Sequence, residues 1–114
     1  MNKVIVLAVS FFLMLSCTTQ QPLYTWANYE TTSYNYLKNS DEKSTQALIE
    51  TYKQIIENQK GSRGKVPPGV YADYGFLLLL SNKNEEGKAM LLKEISVYPE
   101  AKVFIDRILK KLEK

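Results

Sequence analysis

Few side chains in this chain can do chemistry. Among 114 residues there is no His and a single Cys, Cys17. Without imidazole there is no Ser-His-Asp arrangement, no His general base and no His metal site. One thiol excludes an intramolecular disulfide and a Cys-cluster zinc site. Carboxylates and tyrosines remain. Glu85-Glu86 are adjacent, and neighbours on a helix do not converge on one point, so they read as complement to a helix N-terminus. Asp73 lies between Tyr71 and Tyr74, where a hydrogen bond to a phenol or a place on the helix surface is expected. The loop Lys60-Gly61-Ser62-Arg63-Gly64-Lys65 has the composition of a phosphate-binding loop without its spacing or a preceding strand. It reads as a solvated hinge, with contact to anionic lipid headgroups as the sharper alternative. No nucleophile stands beside a base, and the expectation is a protein that is not an enzyme. Nothing implies a metal or a cofactor. The formal charge of +3 is too small to imply a nucleic-acid partner.

Cys17 stands at a particular place. A short start with Lys3 precedes a 12-residue run, Val4 to Leu15, that is apolar except for Ser10. That suits the h-region of a signal peptide and falls short of the ~20 residues a membrane-spanning helix needs. The run ends in Met14-Leu15-Ser16-Cys17. A small residue before a cysteine directly after an h-region resembles the lipobox of bacterial lipoproteins. The resemblance implies cleavage before Cys17 and covalent lipid on its sulfur and its new amino group. Thr18 and Thr19 follow, with no Asp to favour inner-membrane retention, so the expected location is the outer membrane, facing the periplasm. Residues 1–16 are then a signal peptide, 17–25 a lipidated Cys with a short tether, and 26–114 a single domain.

The elements are helical. Tyr29 to Leu37 has weak intrinsic preference but can be helix. Ser40, followed by Asp41 and Glu42, is expected to cap a helix reaching about Lys60, with Leu48, Tyr52, Ile55 and Ile56 inward at a 3.6-residue period. Gly and Pro break the chain over 61–69. Val70 to Leu80 reads as a third helix. Asn84 is a plausible cap for a fourth, with Ala89, Leu91, Leu92, Ile95 and Tyr98 inward. Pro99 opens a fifth that buries Phe104, Ile105, Ile108, Leu109 and Leu112 and pairs Asp106 with Lys110. The fold class is all-α.

Two family resemblances follow from these residues. Residues 68–101 resemble one tetratricopeptide repeat: Tyr71, Tyr74, Gly75 and Leu78 fall on the key positions of the first helix, Gly87 and Leu91 on those of the second, and Pro99 on the closing proline. Glu94 departs from the pattern, where the repeat has Ala. An upstream hairpin with Ser33, Tyr36, Ala47 and Tyr52 matches more weakly, and 99–114 would be the solvating cap helix. The whole chain resembles a bacterial lipoprotein family, domain of unknown function 4810. The resemblance rests on Leu23-Tyr24-Thr25-Trp26-Ala27-Asn28-Tyr29 and on Val66-Pro67-Pro68-Gly69-Val70-Tyr71-Ala72-Asp73-Tyr74-Gly75. It implies a lipid-anchored periplasmic protein. Members are often encoded beside a lipoprotein similar to the curli-secretion pore, which makes such a protein the expected partner. The family carries no established activity or catalytic residue.

Tyr24, Trp26, Tyr29, Tyr34 and Tyr36 are the candidate contact surface, since Tyr and Trp are enriched in interface hot spots. In a chain this small they read first as the core of a first helix pair, then as partner contact, and last as headgroup contact near the anchor. The expected role is that of a non-catalytic adaptor in the cell envelope, with a structural or peptidoglycan-associated lipoprotein as the alternative. A short solenoid could also pair with a second copy to cover its open end.

Overall fold

The computed structural model describes residues 2–14 and 17–114. Met1, Leu15 and Ser16 lie outside the described residues, so the expected cleavage junction does too. Among the described residues there are six α-helices and one 3₁₀ turn, and no strand. The first helix, α1 (Asn2–Met14), has 13 residues, which is about 20 Å at 1.5 Å per residue. A bilayer's hydrocarbon core is about 30 Å thick. Among the described residues no helix is long and apolar enough to cross a membrane.

Two helical hairpins follow, α2 (Tyr29–Asn39) with α3 (Glu42–Glu57), and α4 (Val70–Leu80) with α5 (Asn84–Val97). Ser40 does not cap α3. It takes a left-handed conformation at φ 48° and closes α2, its amide donating to the Tyr36 carbonyl at 2.9 Å. The cap is Asp41. Its carboxylate accepts from the Ser44 amide at 2.7 Å, and the Ser44 hydroxyl accepts from the Asp41 amide at 3.2 Å, a reciprocal capping box. Ser40 and Asp41 are both cap formers, and the left-handed turn needed to reverse the chain consumed the first of them.

The core forms where α3 crosses α4. Leu48, Ile49, Tyr52 and Ile55 from α3 meet Val70, Tyr71, Tyr74, Leu77 and Leu78 from α4, with Val66 beneath them. Ala47, a position of the weaker upstream hairpin, is exposed. The α4–α5 hairpin is closed by a pair of glycines. A Cβ on Gly75 would lie 2.7 Å from the Gly87 carbonyl oxygen, and one on Gly87 would lie 2.7 Å from that of Gly75. The two backbones touch, which explains the small residues expected at both positions. Gly75→Ala would normally gain helix propensity, up to about 1 kcal/mol. Here the methyl must push two backbones apart, at about 1–3 kcal/mol. A net fall in melting temperature is expected, and calorimetry of the single and paired Ala variants at 75 and 87 measures it.

The buried stripe of α5 is Gly87, Leu91 and Glu94, continued by Tyr98. Ala89 and Leu92, expected inward, are exposed, Leu92 at 55%. The stripe is rotated because Glu94, a charged residue, occupies a core position. Lys83, not Asn84, stands at the cap position of α5 and makes no side-chain bond there.

Pro99 opens a 3₁₀ turn (Pro99–Ala101) that runs into α6 (Lys102–Leu112). Of the five apolar residues expected inward on this helix only Ile105 is buried. Phe104 is 62% and Leu112 41% exposed, and Ile108 and Leu109 are half-buried. The helix packs on α5 and the 3₁₀ turn, and its other flank is exposed. Asp106 pairs with Lys102 at 2.5 Å rather than with Lys110.

Candidate functional site

The segment expected to be a free tether is partly built into the fold. Pro22 and Leu23 accept hydrogen bonds at their carbonyls from the Ser62 and Arg63 amides, at 3.0 and 3.1 Å. The Gln59 side chain then serves as a backbone partner for Thr25, accepting from its amide at 2.6 Å and donating to its carbonyl at 3.0 Å. The Thr25 hydroxyl accepts from the Lys60 amide at 2.9 Å. Gly61 lies directly under this strap: a Cβ there would collide with the Leu23 carbonyl and the Tyr24 Cα. Gly61→Ala is therefore expected to lift the strap, and amide exchange at Ser62 and Arg63 should accelerate while the α3–α4 core stays protected.

The strap leads into a chain of rings. Tyr24 meets Trp26 edge-on at 6.4 Å between centroids, and Trp26 meets Tyr29 at 5.6 Å. Tyr29 meets Tyr52 at 5.9 Å and Tyr52 meets Tyr74 at 5.8 Å. These separations and tilts suit the ring quadrupole. The Leu-Tyr-x-Trp-x-x-Tyr segment is thus coupled through α3 to the tyrosines of the second signature. The Tyr98 hydroxyl closes the far side, donating to the Val66 carbonyl at 2.6 Å, while Lys65 sits 4.6 Å above its ring. Burial, followed by the neighbouring Tyr24, pushes the Tyr98 phenol up to about 12.

The five candidate aromatics do not form one surface. Tyr29 and Tyr36 pack against the core from α2. Tyr24 is half-buried, Trp26 is 44% exposed and Tyr34 is 62% exposed. Between α2, α3 and α4 lies an open groove of about 220 Å³, with Tyr29, Ser33, Tyr36 and Leu37 on one wall and Phe76, Leu77 and Leu80 on the other. Leu37, Phe76 and Leu80 are 77%, 50% and 60% exposed. Sequence reading made Val70 to Leu80 a helix, with Phe76 to Leu80 an unbroken apolar run. Five consecutive apolar residues on a helix cannot all face one side, so some of them had to emerge.

Asp73 stands at the groove and makes no hydrogen bond to a tyrosine among the described contacts. Although the residue is exposed, atoms crowding its carboxyl and then the charge of Glu94 raise it above the usual 3.8. The folded chain therefore holds this proton to higher pH than the unfolded chain, and stability falls as pH rises through that interval. Asp73→Asn is expected to raise the melting temperature at neutral pH. The gain should vanish in acid below the ordinary aspartate value, and paired thermal melts check both halves.

Glu94 holds the second signature in place. Gly69, in a left-handed conformation at φ 90°, begins α4 with no capping side chain of its own. Glu94 reaches across from α5 and its carboxylate accepts from the Gly69 amide at 2.7 Å and from the Ala72 amide at 3.3 Å. It is 2% exposed. A negative charge at a helix N-terminus complements the macrodipole. The residue that departs from the repeat pattern is thus the cap of the neighbouring helix.

Of the residues at the other repeat-like positions, Tyr71, Tyr74, Gly75, Leu78, Gly87 and Leu91 are buried, and Pro99, after the end of α5, is exposed. Glu85 and Glu86 are exposed, and Glu85 faces Lys88 at 3.9 Å. Among the described residues no group of three His, Cys, Asp or Glu side chains could hold a metal ion. Cys17 is exposed.

Neither a curated protein nor a solved structure matches the chain. Residues 23–108, from the start of the strap to the last turns of α6, match the family described as domain of unknown function (DUF4810). The match covers both signatures and all of α2 to α5, and the chain belongs to that family.

Proposed function

We propose that the protein is a non-catalytic lipoprotein, held by lipid on Cys17 at the periplasmic face of the outer membrane, that acts as an accessory or adaptor for another envelope protein. The observation that carries the reading is the open groove between α2 and α4, where Leu37, Phe76 and Leu80 stand in solvent around an apolar floor. Clustered exposed apolar side chains of this kind mark contact sites. The expected occupant is an apolar helical or extended segment of the partner, since helix-lined grooves take such anchors. Two stacked hairpins with a terminal amphipathic helix also suit a short tetratricopeptide-like unit, a scaffold whose work is protein contact.

The strap favours an adaptor over a wall-binding role. With Pro22 to Thr25 tied to the body, only Thr18 to Gln21 separate it from Cys17, too short a linker to reach far from the bilayer. A lipoprotein similar to the curli-secretion pore is the first partner to test. Phe76→Glu combined with Leu37→Glu changes exposed positions, so it should leave folding intact and abolish co-purification with that pore lipoprotein. Unchanged co-purification, or normal pore assembly after clean deletion of the gene, would overturn this choice of partner. Cys17→Ser is expected to abolish the covalent lipid, which mass spectrometry of the protein purified from membranes reads directly.

A further inference from the structure

We infer that the strap and the loop beneath it form a second docking surface, distinct from the groove, that lies on an anionic phospholipid bilayer. Two segments make it. Residues 22–26 present Leu23 and Trp26, 53% and 44% exposed. The loop hydrogen-bonded to them presents Lys60, Arg63 and Lys65, all exposed. Among the described residues none of these three cations enters an ion pair, and neither segment contains an acid. The nearest carboxylates along the chain are Glu30 and Glu57, and those beside Tyr98 are Glu94, held by the Gly69 and Ala72 amides, and Glu100.

The chemistry and the position agree. An indole with one polar edge suits the headgroup layer, a leucine beside it suits the acyl boundary, and each nearby cation adds attraction to anionic lipid. The surface is also where the chain leaves the body toward Cys17. Five Cα steps separate Cys17 from Pro22, a reach of at most about 17 Å. The groove starts beside this end at Tyr29, which packs on Trp26, and runs away from it to Tyr36 and Leu37 in the last turns of α2, roughly 10–12 Å along the helix. Docking here would orient the body and leave the groove open to a partner.

This inference rests on the anchoring reading above, and the test separates the two. Trp26 is the sole tryptophan and Cys17 the sole thiol, so each can be addressed alone. The lipidated protein purified from membranes is reconstituted in phosphatidylglycerol-containing or pure phosphatidylcholine vesicles that carry lipids brominated near the headgroup. Trp26 quenching is expected to be at least about twofold greater with phosphatidylglycerol. It should fall to the phosphatidylcholine level in the Lys60→Gln, Arg63→Gln, Lys65→Gln triple variant, and in ~1 M salt, where the Debye length is about 3 Å. Equal quenching in both vesicles, or quenching indifferent to the triple variant, would overturn the surface. Mass spectrometry of Cys17 reads the anchor independently. If the thiol carries no lipid, the anchoring reading fails, and coupling Cys17 to a maleimide lipid in the same vesicles decides the surface by the same quenching criterion.

Discussion

Glu94→Ala is expected to lower the melting temperature by on the order of 10–20 °C. The variant leaves the Gly69 and Ala72 amides without their acceptor, at a helix start that has no side-chain cap of its own. Orphaning buried donors costs about 1–3 kcal/mol, and about 1 kcal/mol shifts the midpoint of a domain this size by about 4–8 °C. Glu94→Gln retains an oxygen for one of the two amides and removes the charge, so it should fall between Ala and the native residue. If Glu94 were instead an ill-placed charge tolerated in the core, Ala would stabilise the fold, because Ala is the residue the tetratricopeptide pattern carries there. Differential scanning calorimetry of the two variants separates these cases by the sign of the change.

Tyr52→Ala should be larger still. Tyr52 is 4% exposed and is the ring through which Tyr29 of α2 reaches Tyr74 of α4. Truncating a buried aromatic costs about 3–5 kcal/mol, a large part of the ~5–15 kcal/mol that holds a domain together. A fall in melting temperature of roughly 15–30 °C is expected. The effect should reach the strap, since Trp26 stacks on Tyr29, and Trp26 emission should lose its native character along with the core. Tyr52→Phe keeps the ring contacts, so it should lose a small fraction of what Ala loses. Comparable losses for Phe and Ala would mean that the hydroxyl, not the ring chain, does the joining.

The helices were legible because apolar residues recur at the helical period and because Gly and Pro interrupt them over 61–69. The glycine contact between α4 and α5 was legible as well, since small residues stood at matching places in both helices. Glu94 was not: in sequence it is only a departure from the repeat pattern, and apolar Ala89 and Leu92 read as inward beside Leu91 and Tyr98, which are. Only the position of the Gly69 and Ala72 amides, across the hairpin, shows why a carboxylate belongs there. The strap was hidden for a related reason. Its bonds come from backbone groups and the amide of Gln59, 34 positions from Thr25, and neither has a pattern in sequence. On α6 the amphipathic period was correct, and the missing information was what stands against its second flank. The aromatic segment could serve as core, contact or headgroup surface on composition alone. The structure assigns these environments residue by residue, with Tyr29 and Tyr36 packed on the core and Trp26 and Tyr34 in solvent.

The groove is the centre of the functional account, and it can be interrogated in place. A photo-activatable cross-linker at position 76 of the lipidated protein, illuminated in intact membranes and followed by mass spectrometry, reads what touches the wall of α4. The account predicts one dominant adduct with an envelope lipoprotein, lost when Leu37→Glu is added and unaffected by the Lys60, Arg63 and Lys65 substitutions. Adducts only with a second copy of this chain, or none above those formed from a control position at exposed Glu85, would contradict it.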